Sequence, residues 1–240
     1  MADLSTTKLL LHLNGTQGTK DIVDSSNDAR SINTSGLNAL SFLDTSIKKF
    51  GVSSLKGVRS GGYCYNHLEL AASTDWEPDI HNESFTYEGQ FYFDQINNYG
   101  NTLIARNRIY GVGTGSWSLY IYNTGNTLAW IVGHTTVMSR SFTFSTGQFY
   151  HIRFVVDSGT AYMFVNGNLL GTSESIPSGT TFTTNTGVLT IGGSRSTSPD
   201  GIIGYYDEIR WDSRALSTSN FTPPTAEYQP DFLQKIITLV

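Results

Sequence analysis

The chain has one cysteine, Cys64, so it can form neither an intramolecular disulfide nor a paired-cysteine metal or redox motif. Cys64 reads as a small strand residue. Charge is scarce too: charged residues make up 15% of the chain, and its 15 Lys and Arg show no clustering. With a net charge of −5 and a pI near 5.4, the chain has no basic footprint for nucleic acid, and none is expected as a partner. No apolar run approaches the roughly 18 residues that would suggest a membrane span. The opening MADLSTTK lacks the charged-then-apolar plan of a signal peptide, so synthesis in a cytoplasm is expected. In that context the glycosylation sequons at Asn14, Asn33, Asn82 and Asn220 carry no weight. The five histidines (His12, His67, His81, His134, His151) are scattered without metal-ligand spacing. With neither G-x-S-x-G nor a P-loop, serine hydrolysis and phosphoryl transfer have no support. Internal repeats and convincing long helices are also missing.

What the chain does have is glycine (24 residues), aromatics (12%) and abundant Ser, Thr and Asn. That profile suits many short strands joined by polar turns. A length of 240 residues is long for an average domain, yet all-β sandwiches reach it as single units. About fourteen strands can be read. The clearest is Phe85 to Asp94, where Phe85, Tyr87, Gly89, Phe91 and Phe93 alternate with Thr86, Glu88, Gln90, Tyr92 and Asp94. Such alternation predicts one face in the core and one wet. Phe149–Asp157 and Thr160–Val165 read as a hairpin, followed by the turn dipeptide Asn166-Gly167.

The stretch Gly201 to Phe221 predicts a strand over Ile202–Trp211, then a turn and a short helical cap. Period two places Tyr205, Asp207, Ile209 and Trp211 on one face, with Tyr206, Glu208, Arg210 and Asp212 on the other. Asp207 would then lie on a mostly apolar face, where a carboxylate has to be hydrogen-bonded, paired or bound to a cation. Glu208 and Asp212, with Arg210 between them, read as a solvated edge. After Tyr228, Gln229–Val240 (QPDFLQKIITLV) fits a helix face and a strand about equally well. It reads either as a last strand covering the domain's own edge or as an arm docking on a neighbouring subunit.

Several segments together resemble one family. GYYDEIRWDSRALS is similar to the closing strand of laminin-G-like, concanavalin-A-like jelly-roll domains. LLLHLNG, DSS and KKFGVSSL resemble the opening of such domains in bacteriophage virion proteins, and SNFTPPTAEY resembles a tail that follows them. SFTYE, FYHIRFVVDSGTAYMFVNG and VLTIGG match strands between these ends. The resemblance implies an all-β, concanavalin-A-like (laminin-G-like) jelly-roll sandwich of two antiparallel sheets over residues 1–228, with a short C-terminal arm at 229–240.

The same resemblance implies the chemistry to look for. Many such domains hold one Ca²⁺ with an aspartate of the early loop and one of the closing strand, which correspond to Asp24 and Asp207. The reading of the residues alone is that Asp207 caps backbone amides and Asp24 begins an Asx turn. Endoglucanases on this fold carry E-x-D-x-E or E-x-D-x-x-E on one strand, and neither run occurs here. A non-enzymatic role is therefore expected. Sugar sites use aromatic faces, and the candidates are Trp76, Tyr110, Tyr122 and Trp130. Trp76 and Tyr110 are favoured as loop residues, while Trp117, Trp130 and Trp211 also read as core. The expected protein is a virion component at the tail or fibre that binds host-surface carbohydrate. The alternatives are a capsid decoration or head-fibre protein that contacts other virion proteins, and a glycoside-active enzyme. A homo-oligomer, such as a trimer, is expected, with Phe232, Leu233, Ile236, Ile237 and Val240 as contact residues.

Overall fold

The computed structural model describes residues 6–58, 66–96, 100–106, 116–122, 125–182, 187–195 and 200–228. Tyr110, Cys64 and the arm residues Phe232, Leu233, Ile236, Ile237 and Val240 lie outside them. The described part is all-β. Its strands are β1 (Thr7–Leu11), β2 (Phe42–Asp44), β3 (Ser54–Gly57), β4 (Leu68–Leu70), β5 (Ser84–Gln95), β6 (Asn101–Arg106), β7 (Trp117–Tyr122) and β8 (Thr127–Val132). They continue with β9 (Thr135–Ser141), β10 (Phe149–Asp157), β11 (Thr160–Val165), β12 (Asn168–Leu169), β13 (Glu174–Ser175), β14 (Leu189–Ile191) and β15 (Ile203–Asp212). One 3₁₀ turn, Thr74–Trp76, precedes β5.

Two antiparallel sheets form the sandwich, as expected. The larger has nine strands and runs β12-β11-β10-β5-β15-β3-β2, with β1 also paired to β15 and β13 to β11. The smaller runs β4-β14-β6-β7-β8-β9. Phe85, Tyr87, Phe91 and Phe93 of β5 enter the core, as their alternation predicts. Trp130 packs there on Phe154 with ring centroids 4.9 Å apart. The core is densest around Trp211. Its ring stacks on Phe85 (4.7 Å) and Trp117 (5.6 Å) and meets Trp76 edge-on (5.5 Å).

The predicted faces of β15 need correction. Against β5, Asp207 pairs with Gln90 but Arg210 pairs with Glu88, so β15 carries one extra residue. Glu208 sits in this bulge with φ of +49°. A bulge shifts the alternation by one. Tyr206, Ile209 and Trp211 therefore join the core, and Asp207 turns to the outer face beside Gln90. Nor are Glu208 and Asp212 a solvated edge: both are buried, because β15 is an inner strand of the sheet.

No helical cap follows β15. Residues 213–228 instead run as an irregular strap over the outer face of the larger sheet. The paired Pro223-Pro224 favours that extended course. Leu216 N–H donates to Thr86 Oγ1 (3.0 Å), and the same hydroxyl donates to the Arg214 carbonyl (2.7 Å). Phe221 packs on Phe164 at 5.4 Å, and the Arg153 guanidinium covers its ring at 3.6 Å. Tyr228 lies against the Arg210 guanidinium at 4.4 Å. The predicted wet face of β5 is thus covered by the chain itself at Thr86, Glu88 and Gln90, which are fully buried, while Tyr92 is half-buried and Asp94 exposed.

The strap crosses the Asn166-Gly167 turn, where Phe221 N–H donates to the Gly167 carbonyl at 2.9 Å. Gly167 has φ of +79°, and a Cβ there would lie 2.0 Å from the Phe221 carbonyl oxygen. Gly167→Ala is expected to destabilise the fold by more than about 1 kcal/mol, because both conformation and space are wrong for a side chain. Urea unfolding checks this, and hydrogen exchange at Phe221 should accelerate.

Candidate functional site

The outer face under the strap is built around Glu88. Arg153 Nε donates to its Oε2 at 2.7 Å, and Arg210 Nε donates to its Oε1 at 2.7 Å. His151 Nε2 lies 3.1 Å from Glu88 Oε2 and 3.1 Å from Tyr228 Oη. Burial works against Glu88 ionising. Arg210, the His151 hydrogen bond and Arg153 outweigh it and hold its carboxyl far below the ordinary range. This is a closed charge network that fastens strap to sheet.

Next to it, three segments distant in sequence converge. His12 Nδ1 lies 2.8 Å from Glu208 Oε1, and Tyr228 N–H donates to Glu208 Oε2 at 2.7 Å. Glu227 accepts from the Asn14 amide. The hydrogen bond to Glu208 raises the pKa of His12.

Asp24 and Asp207 each accept hydrogen bonds from within the chain. Asp24 is held by β1 and by its own loop: its Oδ1 accepts from Leu10 and Ser26 N–H, and its Oδ2 from Ser26 Oγ and Arg30 N–H. Asp207 Oδ2 accepts from the Lys49 and Phe50 amides at 2.8 and 3.1 Å. Burial, only partly offset by the Phe50 and Lys49 amides, pushes its pKa up to about 7. Among the described residues, Asp24 and Asp207 share no cluster of three or more metal-ligating side chains.

Two of the four aromatic candidates are inside the fold. Trp76 and Trp130 are both fully buried, so neither offers a ring face to a sugar. The loop around Trp76 folds inward: its indole donates to the Ala71 carbonyl at 3.1 Å, and its ring meets Trp211. Tyr122 is half-buried on the outer face of the smaller sheet, and it has a partner that the sequence reading missed. Tyr120, also half-buried, lies 5.3 Å from it, ring centroid to centroid. Small residues flank the pair across the strands: Thr102 and Ala129 oppose Tyr120, and Thr127 opposes Tyr122. The spacing of two within one strand was the available signal.

A cleft of about 880 Å³ opens at another end of the sandwich, lined by Asp75, Glu77, Glu83, Asp157, Trp211 and Arg214 among others. Its carboxylates are engaged within the chain. Asp75 pairs with Arg30, Glu77 with Arg106, Glu83 accepts from Asp79 N–H, and Asp157 accepts from Ser84 Oγ.

The same pattern of strands is found in known proteins. Residues 61–220 match the description of the concanavalin A-like lectin/glucanases superfamily. The chain belongs to that superfamily. Among solved structures it is similar to the binding domain of botulinum neurotoxin DC, in complex with rat synaptotagmin II (15% identity, TM-score 0.62, 90% of this chain and 50% of that one). It is similar to botulinum neurotoxin type C, whose route into cells is dependent upon interaction with two ganglioside molecules (15%, 0.61, 90% and 49%). The binding domain of Paraclostridial Mosquitocidal Protein 1 is a further match (14%, 0.61, 90% and 50%). The chain spans about half the length of these neighbours, and at such identity the likeness is one of fold. A comparison with curated protein sequences finds no match. Concanavalin A-like sandwiches host both binding modules and enzymes, so the superfamily leaves the ligand to the site. No helix among the described residues is long and apolar enough to cross a membrane.

Proposed function

We propose that this chain is a non-enzymatic carbohydrate-binding protein of a bacteriophage virion, carried at the tail or fibre, that recognises host-surface glycan. The observation that carries the reading is the Tyr120–Tyr122 pair, two partly exposed rings side by side on a rigid sheet among small residues. Pyranose C–H faces pack on such rings, and a sheet holds them in place without ordering cost. One structural neighbour depends on gangliosides, which are glycolipids, and this supports a glycan as the ligand class. The phage-like opening and the SNFTPPTAEY segment support the virion context.

The glucanase alternative is weaker. Glycoside hydrolysis needs two free carboxyls flanking one bond. On β15, Asp207 takes two backbone amides, Glu208 takes His12 and Tyr228 N–H, and Asp212 takes Arg214 and Thr7. All three are buried.

A glycan array should show the wild-type chain bound to a restricted set of glycans. Tyr122→Ala should lower affinity for those glycans at least about tenfold, the scale of one lost aromatic contact, with an unchanged melting temperature. No glycan above background, or full binding by Tyr122→Ala and Tyr120→Ala alike, would overturn the reading. Binding only to particles lacking the protein would favour the decoration or head-fibre alternative.

A further inference from the structure

We propose that His12, Glu208 and Glu227 form a binding site for a divalent transition-metal ion, with Zn²⁺ as the type. One ligand atom from each residue lies within 4.8 Å of the others. A bound ion holds such atoms at about 2.0–2.2 Å from itself and so about 3.4 Å from one another; His12 Nδ1 and Glu208 Oε1, now 2.8 Å apart, would exchange their hydrogen bond for the ion. The three come from the segment after β1, from the bulge of β15 and from the end of the strap. An ion here would tie the segment after β1, β15 and the strap to one point.

The donor set decides the class of metal. One imidazole nitrogen with two carboxylates suits zinc, manganese or cobalt, whereas calcium takes oxygen ligands almost alone. The set therefore differs from the Asp24 and Asp207 pair implied by family resemblance. Glu208 is 1% exposed and His12 19%, so the cluster is walled on one side and open to water on the other.

Polar atoms without partners are buried in the neighbouring part of the same sheet. Asp207, next to Glu208, is fully buried on the same face, and its Oδ1 has no hydrogen-bond partner. Across the strand, Gln90 Nε2 is likewise buried without one. Buried polar atoms without partners call for a water or an ion's hydration shell. Gly51 makes the close approach possible, since a Cβ on it would lie 2.3 Å from Glu227 Oε1 and 2.2 Å from Asn14 Oδ1.

The test uses the full-length, untagged chain, stripped with EDTA and dialysed. Zinc chloride should bind with one equivalent by calorimetry, and the melting temperature should rise with zinc concentration, because an ion that binds only the native state stabilises it. Manganese chloride should give a smaller shift, and calcium chloride none. His12→Gln and Glu227→Gln should each reduce the zinc-dependent shift at least tenfold in concentration, with metal-free melting temperatures close to wild type. Both residues are partly exposed, so the variants should fold. No zinc-dependent heat or shift would overturn the site. So would a shift retained in both variants, or stabilisation by calcium alone. Glycan binding is read separately, so either proposal can fail without the other.

Discussion

Replacing Glu88 with alanine is expected to destabilise the protein by about 3–5 kcal/mol, the range for breaking a buried ion pair from one side. The variant leaves Arg153, Arg210 and His151 facing each other under the strap with no anion between them. For a chain of this size the loss corresponds to a fall in melting temperature of roughly 6–20 °C, at about 2–4 °C per kcal/mol. The pH dependence carries a second signature. The folded-state pKa of Glu88 is depressed. Its contribution is therefore present above the ordinary carboxylate pKa and is lost as pH falls from there toward the folded value. Glu88→Gln should make the acid limb of the stability profile shallower than in wild type. Thermal and urea unfolding between about pH 2 and 7 measure both effects. A loss under about 1 kcal/mol, the value of an exposed pair, would show that the network is not as closed as its geometry.

Trp211→Ala should be about as damaging, at roughly 3–5 kcal/mol for truncating a buried Trp. Trp211 is fully buried and in ring contact with Phe85, Trp117 and Trp76. Each aromatic pair is worth about 0.5–1.5 kcal/mol beyond the area it buries. The cavity would open on an inner strand with limited room to collapse, because β15 is held by β5 on one side and by β3 and β1 on the other. Trp211→Phe should recover much of the loss. Near-ultraviolet circular dichroism should lose signal in the alanine variant with the far-ultraviolet spectrum nearly intact. If Trp211→Ala unfolded at the wild-type urea concentration, the aromatic cluster would not be the centre of the core.

How far this arrangement could be read from the chain differs by element. β5 was legible because Phe85, Tyr87, Phe91 and Phe93 alternate without interruption. The Asn166-Gly167 hairpin was legible because positive φ at both positions suits those residue types. β15 was legible as a strand but not in its faces. Its extra residue at Glu208 leaves no mark on the alternation, so period two counted back from the core residues Ile209 and Trp211 puts Tyr206 and Asp207 on the wrong sides. Trp76 misled for a different reason. Its segment is a loop, as expected, but one that turns its indole into the sandwich. Tyr120 could have been paired with Tyr122 by spacing alone. The meeting of His12 with Glu208 spans 196 positions, and only the fold brings them together.

The pairing of β1 with β15 also bears on how the protein is made. Thr7 finds its strand partner in Asp212, so β1 waits until β15 has been made. At about 5–20 residues per second, a ribosome takes roughly 10–40 s to bridge that gap. Throughout it Leu9, Leu10 and Leu11, all buried in the finished sheet, have no ladder to join. The nascent chain thus presents an apolar tripeptide that co-translational chaperones are suited to hold. The larger sheet cannot close before β15 has been made, and a ribosome stalled before β15 leaves a product that cannot complete it.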